Sequence, residues 1–259
     1  MKHIFVINPA AGKTNVAEAL LPRLHALFVG REEELETYLT TGVGDATRFV
    51  KERCAASNGE HLRFYSCGGD GTMNEVLQGL AGCANAAMGV VPCGSGNDFA
   101  RDIDAERGAP PVLINRYIER LPKICVNGKE HRFINGIGYG IDGYCCEKGD
   151  ELRGKGNGEV NYTAIAIKGL LFHYKPTGAT ITVDGVEHRF EKVWLAPTMI
   201  GRYYGGGMMP TPEQDRLNGD GAVSVMVYYG SGKLKSLAVF PSIFKGEHIK
   251  HSEMVAVLS

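Results

Sequence analysis

The sequence predicts an α/β protein in two parts: a mainly parallel α/β domain over residues 1–120, then an antiparallel, β-rich, sandwich-like domain over 121–259. Three observations predict it. Short apolar runs alternate with stretches of helical periodicity up to about residue 120, the pattern of a parallel sheet covered by helices. Beyond Leu121 the dipeptides Asn127-Gly128 and Asp184-Gly185 follow apolar segments, as in two-residue hairpin turns. Finally, Val223, Val225, Val227 and Tyr229 alternate with Ser224, Met226 and Tyr228, the period of a half-buried strand.

Taken in order, Ile4 to Ile7 is a continuous apolar strand, and Val16, Ala17, Leu20, Leu21, Leu24, Leu27 and Phe28 recur at helical spacing. Pro22 falls inside that pattern and is expected to kink or delay the helix. Leu35 to Thr40 reads as a second strand, and Gly44-Asp45 as a cap before a helical face of Ala46, Phe49, Val50 and Cys54. Leu62 to Ser66 is a third strand; Met73, Val76, Leu77 and Leu80 mark a third helix; Ala87 to Val91 is a fourth strand. In the second half a helix-like stretch, Val160 to His173, interrupts the β pattern.

Composition excludes several classes of function. The 259 residues carry 28 Lys and Arg against 29 Asp and Glu, so nothing in the overall charge points to nucleic acid. No apolar run reaches the length of a membrane-spanning helix, and the start, Met1-Lys2-His3 followed by Ile4 to Ile7, is too short for a signal peptide. A cytoplasmic protein is expected. The seven cysteines are odd in number and form no C-x-x-C pair, so they are expected to be reduced, small core residues. His248 and His251 lack a third ligand in a zinc pattern and are expected to be exposed.

The chemistry concentrates in two loops. Gly68-Gly69-Asp70-Gly71-Thr72-Met73-Asn74-Glu75 stands where a strand ends and a helix begins. Glycines there let backbone N–H groups approach an anion, and the helix N-terminus adds a positive dipole end, so a phosphate is the natural guest. Asp70 would repel that phosphate unless a divalent cation stands between them, which points to magnesium. Thr72 and Glu75 also read as a T-x-x-E capping box. The second loop, Gly94-Ser95-Gly96-Asn97-Asp98, follows the fourth strand, where Asn97 and Asp98 also read as helix caps. In a parallel sheet both loops leave the carboxyl ends of strands, where ligands of open α/β folds bind. Asn8-Pro9-Ala10-Ala11-Gly12-Lys13-Thr14 fails as a Walker A loop because Ile7 stands where glycine is needed; it remains a phosphate-side turn, with Lys13 a nucleotide contact or a solvated charge. Gly138-x-Gly140-x-x-Gly143 matches a dinucleotide fingerprint, but Tyr144 to Gly158 reads as too charged and glycine-rich for the helix that motif requires.

GGDGTMNE after a strand, with PCGSGNDFAR some 25 residues later, resembles the diacylglycerol kinase catalytic-domain family, which includes bacterial lipid kinases and sphingosine and ceramide kinases. Further motifs keep the family's order: Asn8-Pro9-x-x-Gly12, Thr40-x-x-x-Gly44-Asp45-Ala46, Phe133-x-Asn135-x-x-Gly138-x-Gly140-x-Asp142, Tyr204-Gly205-Gly206-Gly207-Met208 and Asp220-Gly221-Ala222-Val223. The resemblance implies ATP and magnesium in a cleft between two domains. Asn8, Thr40, Gly68 to Thr72 and Ser95 are implied nucleotide contacts, with Gly12, Lys13, Asn74, Glu75, Gly94, Asn97 and Asp98 in the same loops, and Asp70 the catalytic residue nearest magnesium. It also implies a structural magnesium on Asp220 and the carbonyls of Leu217 and Ala222.

The family's D-G-E glutamate, the implied general base, would fall about fifty residues beyond Asp220 and so past Ser259. On that expectation the chain holds nucleotide without completing proton abstraction. The reading is an ATP- and magnesium-dependent lipid kinase acting on a lipid hydroxyl, diacylglycerol first, at the periphery of a membrane, with a homodimer left open. Its rivals are an NAD kinase-like enzyme, which shares the GGDGT loop, and a non-catalytic nucleotide-binding regulator.

Overall fold

The computed structural model describes residues 1–259 except 13–14, 95, 106–107, 109 and 155–159. The chain divides into two compact units, Met1–Ile134 and Asn135–Ser259. The first is built on strands β1 (Lys2–Ile7), β2 (Leu35–Leu39), β3 (Leu62–Gly68), β4 (Ala86–Pro92) and β5 (Val112–Leu113), in the spatial order β2-β1-β3-β4-β5. The β1–β2, β1–β3 and β3–β4 pairs are parallel, and only the short edge strand β5 is antiparallel. Helices α1 (Val16–Leu27), α2 (Asp45–Ala55) and α3 (Asp70–Gly79) make the crossovers, and α4 (Asp98–Asp102) and α5 (Asn115–Ile118) follow.

Alternation along the strands divides the core. Phe5, Ile7, Tyr65, Cys67 and Val91 pack with Val16, Ala17, Leu24 and Phe28 around α1, and the Phe5 and Tyr65 rings stack at 4.5 Å. Ile4, Val6 and Phe64 are fully buried on the other face, the side to which right-handed crossovers bring α2 and α3. The helix α1 runs through Pro22 rather than starting after it; the Asn15 side chain caps its N-terminus by accepting the Ala17 N–H at 3.0 Å. A hairpin of β6 (Lys123–Val126) and β7 (Lys129–Arg132) falls within the first unit. Its turn residues Asn127 and Gly128 both take positive φ, 51° and 77°, as a type I′ turn requires.

The second unit holds an antiparallel sheet in the order β13-β12-β11-β8, from β8 (Gly136–Ile137), β11 (Thr198–Met199), β12 (Ser224–Tyr228) and β13 (Val255–Leu258). A separate hairpin, β9 (Thr177–Val183) and β10 (Val186–Val193), turns at Asp184 and Gly185 with φ of 47° and 82°. Helices α6 (Ile141–Gly154), α7 (Tyr162–Lys168) and α8 (Lys233–Val239) complete it, with a π turn at Gly169–His173 and two 3-10 turns, Phe240–Lys245 and Glu247–Lys250.

Four expectations need correction here. The strand β12 is buried on both faces rather than half-buried: Met226 and Tyr228 join the cluster around Trp194, while Val227 joins a second one with Val193 and Ala196. The segment after Gly143 is helical as far as Gly154, because Ile141 and Cys145 anchor its inner face in the core, and packing overrides weak propensity. That helix does not restore the dinucleotide fingerprint, since β8 belongs to an antiparallel sheet. His248 is 1% exposed, its Nε2 hydrogen-bonded to the Pro210 carbonyl at 2.9 Å. Of the seven free cysteines only Cys67 and Cys145 are buried, and Cys125 and Cys146 are exposed. Among the described residues no helix is long and apolar enough to cross a membrane.

Candidate functional site

The strand order dictates where the site forms. Chains leaving β1 and β3, neighbours in the sheet, go to opposite faces, and the crevice outside their carboxyl ends is the switch point at which open α/β sheets bind ligands. The loops after β1, β2, β3 and β4 all emerge on that edge and carry, in order, Asn8 to Gly12, Thr40 to Asp45, Gly68 to Thr72 and Cys93 to Asp98.

Asn8 spans the crevice. Its Nδ2 donates to the Thr72 hydroxyl at 3.1 Å, and its Oδ1 accepts the Ala10 N–H at 3.0 Å. Thr40 extends the β1–β2 ladder by one residue, donating its N–H to Ile7 at 2.9 Å. Gly12 closes the first loop at φ 78°; Lys13 lies outside the described residues.

The loops after β3 and β4 touch. A Cβ on Gly94 would sit 2.4 Å from the Gly69 Cα and 2.8 Å from its nitrogen, so only glycine lets the two backbones meet. The Gly94 N–H is shared between the Gly68 carbonyl at 3.0 Å and Asn97 Oδ1 at 3.1 Å, and Asn97 Nδ2 returns to the Gly94 carbonyl at 2.6 Å. Asn97, at φ 50°, thereby folds the loop onto itself. Ser95 lies outside the described residues. We expect Gly94→Ala to force the loops apart and lower stability by about 1–3 kcal/mol in denaturant unfolding; unchanged stability would show that the two backbones part without cost.

Asp70 opens α3 and reaches across to α4. Its Oδ2 accepts the Asp98 N–H at 2.9 Å and its Oδ1 the Phe99 N–H at 3.0 Å, so the carboxylate satisfies donors that a helix start leaves unpaired. Asp98 itself is buried and pairs with Arg101 at 2.8 Å. The N–H groups of Gly71 and Thr72 lie in the first turn of α3, at the positive end of the helix dipole. Asp70 is only half-buried, and magnesium in phosphate sites needs one or two carboxylates beside phosphate and water. The residue fits such an ion.

Two predicted contacts serve the scaffold. Glu75 does not close a box with Thr72. Its carboxylate accepts the N–H groups of Gly44 at 3.0 Å and Ala46 at 3.2 Å and so caps α2. Asn74 is exposed and accepts from Gln78 one turn on, at 3.2 Å. Asp45, which sequence reading treated as part of a cap, organises its loop instead. The Thr41 N–H donates to it at 2.8 Å and Arg48 pairs with it, which together hold its carboxyl well below the usual range.

The implied structural magnesium does not fit. The Ala222 carbonyl already accepts Asn218 Nδ2 at 2.8 Å and Gln214 Nε2 at 3.0 Å, and Asp220 Oδ1 accepts the Ala222 N–H at 3.2 Å. The Leu217 N–H turns to Asp215 Oδ1 at 2.9 Å. Both lone pairs of the Ala222 oxygen are used by amides, so this set supports no ion. Among the described residues no group of three or more His, Cys, Asp or Glu could hold a metal.

In the second unit the structure reveals a feature that the motif reading quoted without assigning. The Asp142 carboxyl lies against the Gly138 backbone and accepts the Tyr204 hydroxyl at 3.0 and 3.3 Å. Desolvation pushes its pKa up to about 7, and the Tyr204 hydrogen bond partly opposes that rise. Tyr204 is set by the glycines after it. Gly205, Gly206 and Gly207 take φ of 63°, 86° and 110°, and Tyr204 and Met208 close the loop with two backbone hydrogen bonds of 3.0 and 3.1 Å. A perturbed carboxyl beside a buried phenol is the kind of group that gathers at functional sites. The signal available in the sequence was the pair of glycine motifs flanking these residues.

An apolar pocket lies nearby in the same unit, lined by Ala166, Ile167, Leu170, Leu237, Phe240 and His248 among others.

Comparison with known proteins agrees with this geometry. Residues 2–124 match the diacylglycerol kinase catalytic domain, and residues 135–259 match the YegS C-terminal NAD kinase beta sandwich-like domain. A diacylglycerol kinase of Bacillus subtilis strain 168 is 29% identical over 257 residues, covering 96% of this chain and 81% of the relative. One from Mycobacterium tuberculosis strain H37Rv is 29% identical over 194 residues, or 72% of this chain and 61% of that protein, so the match spans less than two thirds of the relative. The crystal structure of a diacylglycerol kinase from Bacillus anthracis strain Sterne superposes with a TM-score of 0.59 at 22% identity, over 99% of this chain and 82% of that one, which is a likeness of fold. Both halves are thus matched, and residues 2–124, whose loops meet at the sheet's switch point, are similar to the diacylglycerol kinase catalytic domain, while residues 135–259 are similar to the YegS C-terminal domain.

Proposed function

We propose that this chain transfers the γ-phosphoryl group of ATP to the hydroxyl of a membrane lipid, with diacylglycerol the first substrate to test, and that magnesium accompanies the nucleotide. One observation carries the reading: the Gly68–Thr72 and Cys93–Asp98 loops meet, backbone on backbone, at the carboxyl ends of adjacent parallel strands, with Asp70 bridging them. The N–H groups of Gly71 and Thr72 in the first turn of α3 receive phosphate oxygens. The Thr72 hydroxyl, oriented by Asn8, adds a donor on the β1 side of the crevice. Asp70 would hold magnesium, which when bound neutralises charge on the phosphates. Catalysis of this kind rests on positioning and electrostatics more than on covalent chemistry by the protein. The loops here are preset for it, because each is held by its own hydrogen bonds.

The test is phosphorylation by γ-labelled ATP of diacylglycerol in mixed micelles, with and without a magnesium chelator. A labelled, chelator-sensitive lipid product is expected. Labelled NAD instead of lipid would favour the NAD kinase-like alternative, and ATP binding without any transfer would favour a regulator.

A further inference from the structure

Helices α2 and α3 meet along one line of contacts. The Thr47 hydroxyl donates to the Glu75 carbonyl at 2.9 Å. One turn on, a Cβ at Gly79 would sit 2.6 Å from the Val50 Cβ and 3.0 Å from the Thr47 carbonyl oxygen, so the missing side chain lets the two helices close up. Past both helix ends, Asn85 Nδ2 donates to the Ser57 hydroxyl at 3.1 Å. Thr47, Val50, Cys54 and Ser57 recur at i, i+3, i+7 and i+10, the spacing of one helix face. Along α3 and the turn after it the partners follow in the order Glu75, Gly79, Cys83 and Asn85. Cys54 and Cys83 thus fall opposite each other, with a close contact on either side.

The turn after α3 holds Cys83 in place. Its N–H donates to the Leu80 carbonyl at 2.9 Å and its thiol to Asn85 Oδ1 at 3.4 Å. Both cysteines are free and half-buried, shielded from large molecules yet open to a small one. Burial pushes the Cys54 thiol up to about 12, and the Cys83 thiol beside it adds to the rise. Cys54 therefore stays protonated near neutral pH and does not start a reaction by itself. A second sulfur at its side changes what an oxidant does, because the first oxidation product of one cysteine is captured by the other before it is oxidised further.

We propose that Cys54 and Cys83 are a modification site at which a hydroperoxide forms a reversible disulfide, tying the end of α2 to the turn after α3. The Cys83 thiolate attacks the peroxide and breaks its O–O bond, leaving a sulfenic acid and, after proton uptake, one water. The Cys54 sulfur then attacks the sulfenic sulfur, the S–O bond breaks, and the hydroxyl leaves with the Cys54 proton as a second water. Two thiols are oxidised and one peroxide is reduced; a thiol reductant reverses the change by exchange. The bond lies about 14 Å along α2 from Asp45, at the ends of α2 and α3 away from the glycine loops, so it braces the first unit without entering the site and does not depend on what that site binds. The test exposes the whole chain to a small excess of hydrogen peroxide, blocks the remaining thiols, and maps the digest by mass spectrometry without reductant. The expected product joins the peptides of Cys54 and Cys83, is lighter than their sum by two hydrogens, and is released by dithiothreitol. Closing a loop of about thirty residues should raise the melting temperature by about 5–10 °C, and Cys54→Ala and Cys83→Ala should each abolish both the linked product and that rise. Mapping on the wild type holds whether or not the variants fold. Sulfinic acid on Cys83 with Cys54 left free overturns the proposal, as does linkage of either residue to the exposed Cys125 or Cys146, or an unlinked pair in protein whose exposed thiols are already oxidised.

Discussion

Replacing Asp70 with Asn is expected to lower phosphoryl transfer by roughly a thousandfold and to raise the magnesium concentration needed for half-maximal rate. The charge is lost where it would hold the ion against the phosphates, and that is the larger effect. A smaller structural effect accompanies it. Asp70 offers one oxygen to each of the Asp98 and Phe99 N–H groups, whereas an amide has a single acceptor oxygen. One N–H at the start of α4 is therefore left facing an NH2 group, at a cost of about 1–2 kcal/mol, or a fall in melting temperature of a few degrees. The two effects separate by titrating magnesium at a temperature where both proteins are folded. A purely structural role would leave the magnesium requirement where it was, and unchanged turnover would remove Asp70 from the reaction.

The second large effect concerns Asp142 and pH. Its carboxyl is raised from the ordinary 3.8 to about 7 by desolvation. The folded state thus keeps the proton while the unfolded chain ionises. The stabilising contribution is fully present below pH 3.8 and is lost as pH rises through about 7. Because the residue as a whole is only half-buried, we place the loss at about 3 kcal/mol rather than the slightly larger value that the shift alone would give. Asn at this position cannot ionise and still accepts the Tyr204 hydroxyl. Asp142→Asn is accordingly expected to match the wild type near pH 4 and to exceed its stability by about 3 kcal/mol at pH 8. Denaturant unfolding at several pH values decides it; parallel curves would mean that the carboxyl is solvated. Tyr204→Phe should shift the wild-type transition to still higher pH, since the phenol favours the ionised form.

The legible parts of this protein were those governed by local rules. Apolar runs and helical spacing place β1 to β4 and α1 to α3 within a few residues, and Asn-Gly and Asp-Gly mark both hairpins, because positive φ at two successive positions admits few residue types. The approach of the two glycine loops was legible for the same reason, since only a residue without Cβ allows Gly69 and Gly94 to meet.

Errors arose where a residue's role depends on a distant partner. Glu75 reads as capping its own helix, yet its carboxylate reaches the start of α2, some thirty residues earlier in the chain. His248 reads as an exposed polar residue, but the Pro210 carbonyl supplies the bond that makes burying it tolerable. The helix after Gly143 has poor propensity and exists because its inner face is packed.

By itself, then, the sequence determined the order of β1 to β4 and α1 to α3, the two hairpin turns and the residue chemistry of the glycine loops, since steric restriction and periodicity act between near neighbours. Only the tertiary structure decided that Asp70 spans two loops, that Ala222 has no lone pair left for a metal, and that the Asp142 carboxyl is desolvated beside Tyr204. Desolvation and hydrogen-bond satisfaction depend on which groups meet in space, and residues far apart along the chain carry no mark of that meeting.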